Sequence, residues 1–328
     1  MDLSIIYVNW NSADYLRECI PSIYEHTRGI SFEIIVVDNA SPAGDIGALK
    51  REFPSIILIR SAVNLGFAGA NNLGVEHARG ACVLFLNPDT RLIGPALTTM
   101  LQALSSLPDA GVVGCKLLNR DLSVQTSCIM QYPAILHQFC EMECLRLRWP
   151  GFWGIGPLFR DDPLPAKVHA ISGACMLMRR DVFEKVGRFS EDYFMYAEDL
   201  DLCFKTQRSG FSNYYVGKAQ IIHYAGVCSA PEWQRMMKVR SELHFCVKNY
   251  GRLYAVLYRI AAAGNSIARL LATTLLSHLG SNIKRRAQFK SAQQKWLSTL
   301  KVLLTPSSSQ GKVVLSQKRT IDCCDLMT

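Results

Sequence analysis

Between His244 and Ile321 the chain has no aspartate or glutamate, although thirteen lysines and arginines fall there. Only Asp322 and Asp325 follow, so residues 243–328 are strongly cationic, and residues 1–242 are slightly acidic within a total charge of +9. Such an imbalance points to an anionic partner (a membrane surface, a nucleic acid or an acidic polymer) or to a solvated basic face. Long uncharged apolar runs are also missing. Arg252, Arg259 and Arg269 interrupt the apolar stretch 252–279, and no segment reaches the ~18–20 residues that a bilayer span requires. No Cys/His group has zinc spacing, and Cys323-Cys324 is an adjacent pair and not a CxxC dithiol. Met1-Asp2-Leu3-Ser4 has no basic stretch leading into an apolar one, so no signal peptide is expected. The expectation is a reduced, cytosolic chain whose twelve cysteines include buried free thiols on apolar runs, such as Cys82, Cys115, Cys175 and Cys203. No repeat, low-complexity tract or nucleic-acid-binding motif is present, and basic composition alone is poor evidence for nucleic acid.

The chain has 328 residues, 49% of them hydrophobic. That excludes a disordered chain and allows one large α/β domain with an appendage, or two modest domains. In the first 120 residues, strand-length apolar runs at Leu3–Val8, Glu33–Val37, Ser55–Ile59 and Ala81–Leu86 alternate with helical stretches at Ala13–Glu25, Asp45–Glu52 and Phe67–Ala78. The alternation predicts a parallel sheet with its functional groups at the carboxyl ends of the strands. Those ends read Asn9-Trp10-Asn11, Asp38-Asn39-Ala40-Ser41 and Asn87-Pro88-Asp89, polar clusters that a core does not need. Residues 119–165, rich in proline and aromatics, read as an irregular insertion over a cleft. Ordered structure resumes with Ala170–Met178, a helix from Arg180, a helix over Glu198–Ser209, and strands at Asn213–Val216 and Gln220–His223. From Pro231 the pattern is helical. Arg252, Arg259 and Arg269 fall within about a 100° arc. This predicts either an amphipathic helix in a membrane interface or a helix packed on the domain with its Arg face in solvent.

Each polar cluster has a chemical and a structural reading. Asp38 can accept hydrogen bonds from a nucleobase imide or ribose hydroxyls, but Asp, Asn and Ser also build ordinary turns and caps. Asp89 can hold a divalent cation on a diphosphate, and it can equally cap a turn. In Glu198-Asp199-Leu200-Asp201, mutual repulsion of the carboxylates raises one of them toward a general base's range, though acids favour a helix N-terminus in any case. His223 can be a metal ligand, a base or a satisfied core residue.

Taken in order, these segments resemble a known family. Ile5–Ser12, Val36–Ser41, Asn64–Gly74, Leu84–Thr90, Ser172–Arg180, Phe194–Cys203 and His223–Gly226 are similar to the corresponding stretches of family-two glycosyltransferases, in particular the rhamnosyltransferase-like branch of bacterial surface-polysaccharide synthesis. The resemblance implies an α/β chain with the GT-A nucleotide-diphospho-sugar transferase fold, a Rossmann-like mixed sheet, and a helical, basic C-terminal extension. It covers the domain at 1–250, with a nucleotide-binding half (1–118) and an acceptor and catalytic half (119–250). The basic helical region 251–328 lies beyond it, and its charge and helix pattern alone give the expectation of membrane-interface association. Carried over by position, the resemblance implies that Asp38 binds the base beside Asn9 and Trp10. Asn72 and Asn87 lie near the nucleotide-sugar, Asp89 and His223 hold Mg²⁺ or Mn²⁺, Asp199 is the catalytic base and Glu198 contacts the acceptor. Asp201 is structural. Asn87 stands where the family's metal motif commonly has aspartate.

The implied reaction is inverting transfer of a sugar, L-rhamnose from dTDP-rhamnose, to a polyprenyl-diphosphate-linked saccharide. It would take place on the inner face of the cytoplasmic membrane, with no nucleic-acid partner. The rival readings are a UDP- or GDP-hexose donor, a processive synthase, and a non-catalytic binding protein on the same fold.

Overall fold

The computed structural model describes all residues except 43–45, 141–142, 160–163, 225–230, 280–282 and 306–328. The expected basic tail beyond 305 and the Ala225-Gly226 part of one motif lie outside the described residues. Two compact units are present. The first comprises Met1–Tyr132, Arg148–Phe194 and Glu198–Cys228. The second comprises Pro133–Leu147, Met195–Ala197 and the described residues after 228. Chain contacts therefore group 231–250 with the C-terminal helices, whereas a boundary at 250 was expected from sequence.

The chain begins β1 (Leu3–Asn9), α1 (Ala13–His26), β2 (Phe32–Asp38), α2 (Ile46–Glu52), β3 (Ile57–Arg60), α3 (Gly66–Glu76), β4 (Cys82–Leu86), β5 (Thr90–Leu92), α4 (Ala96–Ser106) and β6 (Ala110–Leu118). It continues with β7 (Ile129–Met130), α5 (Ile135–Cys140), α6 (Glu143–Arg148), β8 (Ala166–Val168), β9 (Ala170–Ile171), β10 (Cys175–Arg179), α7 (Arg180–Lys185), α8 (Glu198–Arg208) and β11 (Ser212–His223). The last helices are α9 (Pro231–Tyr250), α10 (Arg252–Leu279) and α11 (Ile283–Leu304).

In the first unit a nine-stranded sheet runs β3-β2-β1-β4-β10-β6-β11-β5, with β8 on β11. Strands β1 to β4 pair in parallel, and β10 enters antiparallel between β4 and β6, so the sheet is mixed. Leu3, Ile5, Ile6 and Tyr7 of β1 are all fully buried, side chains of both pleat faces included. This is why the parallel strands read as continuous Ile/Val runs and not as alternating ones. The two short strands expected at the end of this unit are one, β11, whose pairing with β6 shifts register between Val216 and Gln220. A β-bulge there breaks the apolar run that sequence alone divides in two. The seven described cysteines for which pairing is defined, among them Cys115, Cys175 and Cys203, are free thiols. Burial pushes Cys19 and Cys128 up to about 11, so neither is a nucleophile at neutral pH.

The second unit is helical. Leu243 and Cys246 of α9, Ala255, Tyr258 and Ala262 of α10, and Leu303 of α11 form its core. Gly251, at φ 90°, supplies the left-handed residue that ends α9 and starts α10. Tyr258 donates its hydroxyl to Glu242 Oε2 at 3.0 Å and accepts from Gln138 Nε2 at 2.7 Å, tying α9 and α5 to α10. Among the described residues no helix is long and apolar enough to cross a membrane.

Candidate active site

The carboxyl ends of β1, β2 and β4 gather the polar clusters of the first unit. Register sets Asn9 opposite Asp38 at the last β1–β2 pair. Asn9 Nδ2 donates to Asp38 Oδ1 at 2.8 Å and to Ser41 Oγ at 3.1 Å, and Ser41 Oγ donates to the same carboxylate oxygen at 2.6 Å. Asn9 Oδ1 in turn receives the Ser12 backbone N–H and hydroxyl. The buried Asp38 is thus held from one side in a fixed rotamer. Two left-handed residues, Asn11 (φ 52°) and Ala40 (φ 58°), turn the chain at these strand ends. Trp10 sits half-buried between Asn9 and Asn11. The neighbouring Asn39 donates to Asn64 Oδ1 and the Gly66 carbonyl, and its Oδ1 receives Leu65 N–H, which pins the 64–66 turn. Gly66 is required there: at φ 72° a Cβ would lie 2.3 Å from the Phe194 carbonyl oxygen.

Asn87, Asp89 and His223 converge at the next strand end. His223 Nε2 lies 3.4 Å from Asp89 Oδ1 and 3.4 Å from Asn87 Nδ2. The pairing of β11 with β5 brings them together by setting His223 opposite Thr90. On its other side His223 Nδ1 is 3.0 Å from Gln125 Oε1, while Gln125 Nε2 donates to the His223 carbonyl at 2.6 Å and to Asn119 Oδ1 at 2.9 Å. With both N–H groups of Gln125 committed, its oxygen must accept, so the proton of a neutral His223 resides on Nδ1. The Nε2 lone pair then faces both the Asn87 amide group and the Asp89 carboxylate oxygen. An imidazole nitrogen and a carboxylate, oriented by a hydrogen bond from behind, fit a divalent metal, Mn²⁺ better than the harder Mg²⁺. Among the described residues no group of three or more His, Cys, Asp or Glu side chains is arranged to hold a metal ion, so protein ligands alone would not complete its coordination.

Asn87 connects this cluster to α8. Its N–H donates to the Ala174 carbonyl at 3.0 Å, and the adjacent Gly173 N–H donates to Asp199 Oδ2 at 2.8 Å. Asp199 Oδ1 accepts Leu200 N–H at 2.8 Å. A Cβ at position 173 would stand 3.2 Å from Asp199 Oδ2, so the glycine permits the approach. Tyr196 (φ 69°) and Ala197 (φ 63°) precede α8, two successive left-handed non-glycine residues. Such backbone costs about 1–3 kcal/mol per residue and is kept where it aims functional groups.

Glu198 is buried and its Oε2 has no hydrogen-bond partner. Burial, and then the adjacent Asp199, hold its carboxyl well above the usual carboxylate range. Asp201 is fully buried and accepts from the Ser190 and Tyr193 hydroxyls, a structural post. Asn72 donates to the Phe189 carbonyl and Glu191 Oε1 and accepts Phe189 N–H, so its amide braces the 189–191 turn. Ser41, Gln125 and Gly173 enter the site without having been assigned a role from sequence. Ser41 and Gly173 lie inside the quoted motifs. Gln125 lies 98 positions from its histidine and carries no local signal.

The family model for glycosyl transferase family 2 matches residues 4–187. The chain belongs to that family. The N-acetylglucosaminyl-diphospho-decaprenol L-rhamnosyltransferase of Mycobacterium tuberculosis is 29% identical over 240 residues, covering 68% of this chain and 76% of that protein. The uncharacterized protein y4gI of Sinorhizobium fredii is 28% identical over 227 residues, and the match spans 68% of this chain but only 24% of that longer protein. Among solved structures, the mannosyltransferase PcManGT from Pyrobaculum calidifontis in complex with GDP-Man and Mn²⁺ superposes with TM-score 0.59 at 18% identity, over 92% of this chain and 86% of that one. The fold is GT-A, a mixed Rossmann-like sheet flanked by helices with a C-terminal helical extension.

Proposed function

We propose that this glycosyltransferase inverts the anomeric centre of L-rhamnose as it moves the sugar from dTDP-rhamnose to a polyprenyl-diphosphate-linked saccharide on the cytoplasmic face of a membrane. The observation that carries the chemistry is the placement of Asp199. Both its oxygens accept from backbone N–H groups, which fixes the carboxylate ahead of any acceptor. Burial and the adjacent Asp199 raise the pKa of Glu198, which disfavours a second negative charge beside the base. Asp199 takes the acceptor's proton as that oxygen attacks the anomeric carbon, and the nucleoside diphosphate leaves from the opposite face. One base and one displacement give inversion, whereas retention through a covalent intermediate needs a second carboxylate as nucleophile.

Asp38, held by Asn9 and Ser41, offers its carboxylate to the base, with Trp10 alongside it. Asp89 and His223 would hold Mn²⁺ or Mg²⁺, which supplies neutralisation of the leaving diphosphate. Asn87 joins the metal-side cluster to the Gly173–Asp199 contact through Ala174. The burial of Glu198 fits a role in tuning Asp199 better than the direct acceptor contact expected from sequence. The rhamnosyl group and the lipid-linked acceptor follow the name of the mycobacterial relative, an N-acetylglucosaminyl-diphospho-decaprenol L-rhamnosyltransferase.

Nucleotide release and product mass test the reading. They would be measured with dTDP-rhamnose, UDP-glucose, UDP-galactose, UDP-GlcNAc and GDP-mannose, each with Mn²⁺ or Mg²⁺, with and without polyprenyl-diphosphate-GlcNAc. Acceptor-dependent transfer from dTDP-rhamnose is expected, and transfer from another donor alone would replace the rhamnose assignment. Asp199→Asn is expected to lower kcat at least about 10³-fold while nucleotide still binds, in keeping with loss of a general base. Retained turnover in a folded Asp199→Asn protein would end the assignment.

A further inference from the structure

Helix α10 has two faces, and the exposed one is the apolar one. Ala255, Tyr258, Ala262 and Ser266 are buried in the second unit. On the opposite side Leu253, Leu257, Ile260, Ile267, Leu271 and Leu275 are between 47% and 75% exposed. These six fall within an arc of about 80° and run roughly 33 Å along the helix. Gly264 lies in the same line, with nothing within 4 Å of where its Cβ would be. Of the three arginines expected to mark the solvent face, Arg252 is exposed and the other two turn elsewhere. Arg259 donates to the carbonyls of Leu303 and Thr305 at the end of α11. The Arg269 guanidinium lies 5.0 Å from the centre of the Trp296 ring. Arg259 and Arg269 are therefore used inside the bundle, and a continuous aliphatic ridge is left outside, larger than the scattered apolar residues of an ordinary surface.

Charge selects what covers the ridge. Neither α10 nor α11 contains an acidic residue, and Lys248, Arg252, Lys290, Lys295 and Lys301 are exposed around them. The acids nearest to α10 in sequence are Glu232 and Glu242 on α9, and Glu242 is engaged by Tyr258 and Lys238. A second copy docked ridge to ridge would bring cationic helices together with no acid to offset them, the opposite of the flanking charge pairs that stabilise helix dimers. An anionic bilayer supplies both an apolar layer for the aliphatic ridge and negative headgroups for the exposed cations of these helices.

We infer that the outward ridge of α10, Leu253 to Leu275, is a membrane-docking surface that lies in the interface of an anionic bilayer. This deepens the proposed action on a lipid-linked acceptor and rests on it for purpose, but not for its test. The full chain is sedimented with vesicles of phosphatidylcholine alone and with about a third phosphatidylglycerol. Wild type is expected to bind the anionic vesicles at least about tenfold more tightly, with binding weakened by 0.5 M salt. The triple variant Ile260→Gln, Ile267→Gln, Leu271→Gln changes exposed positions to a good helix former and should keep its helical content. Its partition onto anionic vesicles is expected to drop at least about tenfold, with nucleotide release toward a water-soluble acceptor unchanged. Undiminished binding by the variant, or equal binding of wild type to neutral and anionic vesicles, would overturn the inference. So would a wild-type dimer that the substitutions dissolve, because the ridge would then belong to a second copy. Loss of vesicle binding in a protein that transfers no sugar would leave the docking surface standing and remove only the proposed reaction.

Discussion

Gly173 and Gln125 touch no substrate in the proposed reaction, yet each fixes a group that does. Replacing Gly173 with alanine puts a methyl 3.2 Å from Asp199 Oδ2 and 3.3 Å from its Cβ, so the base must shift by a few tenths of an ångström. The expected result is a fall of about tenfold in kcat with little change in nucleotide affinity, since misplacement of a reacting group by 1 Å costs about 10²-fold. Gln125→Leu removes the acceptor that sets the His223 tautomer and orphans the His223 carbonyl. Mn²⁺ affinity, read by titration with electron paramagnetic resonance and not through turnover, is expected to weaken about 10–100-fold. These two residues also mark where the sequence stops being legible. Asp38, Asp89 and Asp199 stand out because polar residues at strand and helix ends have no core function to explain them. Gln125 looks like any loop glutamine, because its partner arrives through the β11–β5 and β11–β6 pairings and not through local spacing.

At the scale of elements, the strands were easier to read than their partners. Four Ile/Val runs predict β1 to β4 within two residues at their ends, since two-sided burial writes itself into composition. The antiparallel insertion of β10 between β4 and β6 is a long-range pairing that no window of sequence carries. Helix α10 shows the same limit. Its period gives two faces, but which face is covered depends on α9 and α11. Arg259 tests that arrangement directly. Its guanidinium satisfies carbonyls at the end of α11 that have no intrahelical donor. Arg259→Ala is expected to cost the second unit about 1–2 kcal/mol and to speed amide exchange in the last turn of α11, while exchange in β1 and β2 stays as it was. Equal acceleration in the sheet would mean that the two units do not open independently.

Over the whole molecule, carboxyls pull stability in opposite directions along the pH axis. Asp109 lies at about 2 against an ordinary 3.8, lowered by hydrogen bonds from Lys167 first and then Tyr214 and Ser212. For Glu33, burial pushes the carboxyl up, but bonds from Ser4 and Arg79 together outweigh it and leave the group below its ordinary 4.5. Both bind a proton more weakly folded than unfolded. The stability they lend is full above the unfolded values and drains away as pH falls through the folded ones. Glu198 is the reverse. Burial and Asp199 hold it well above 4.5, so the folded chain keeps a proton that the unfolded chain releases. Its contribution is present below 4.5 and is lost as pH rises toward the folded value. Glu198→Gln is neutral in both states and removes only this second dependence. Melting temperatures measured from about pH 4 to about pH 8 are expected to diverge, the variant gaining on wild type as pH rises, with the same acid limb in both proteins. A fixed offset across the range would mean that Glu198 ionises in the folded chain as readily as in the unfolded one, and the neutral partner assigned to Asp199 would be lost with it.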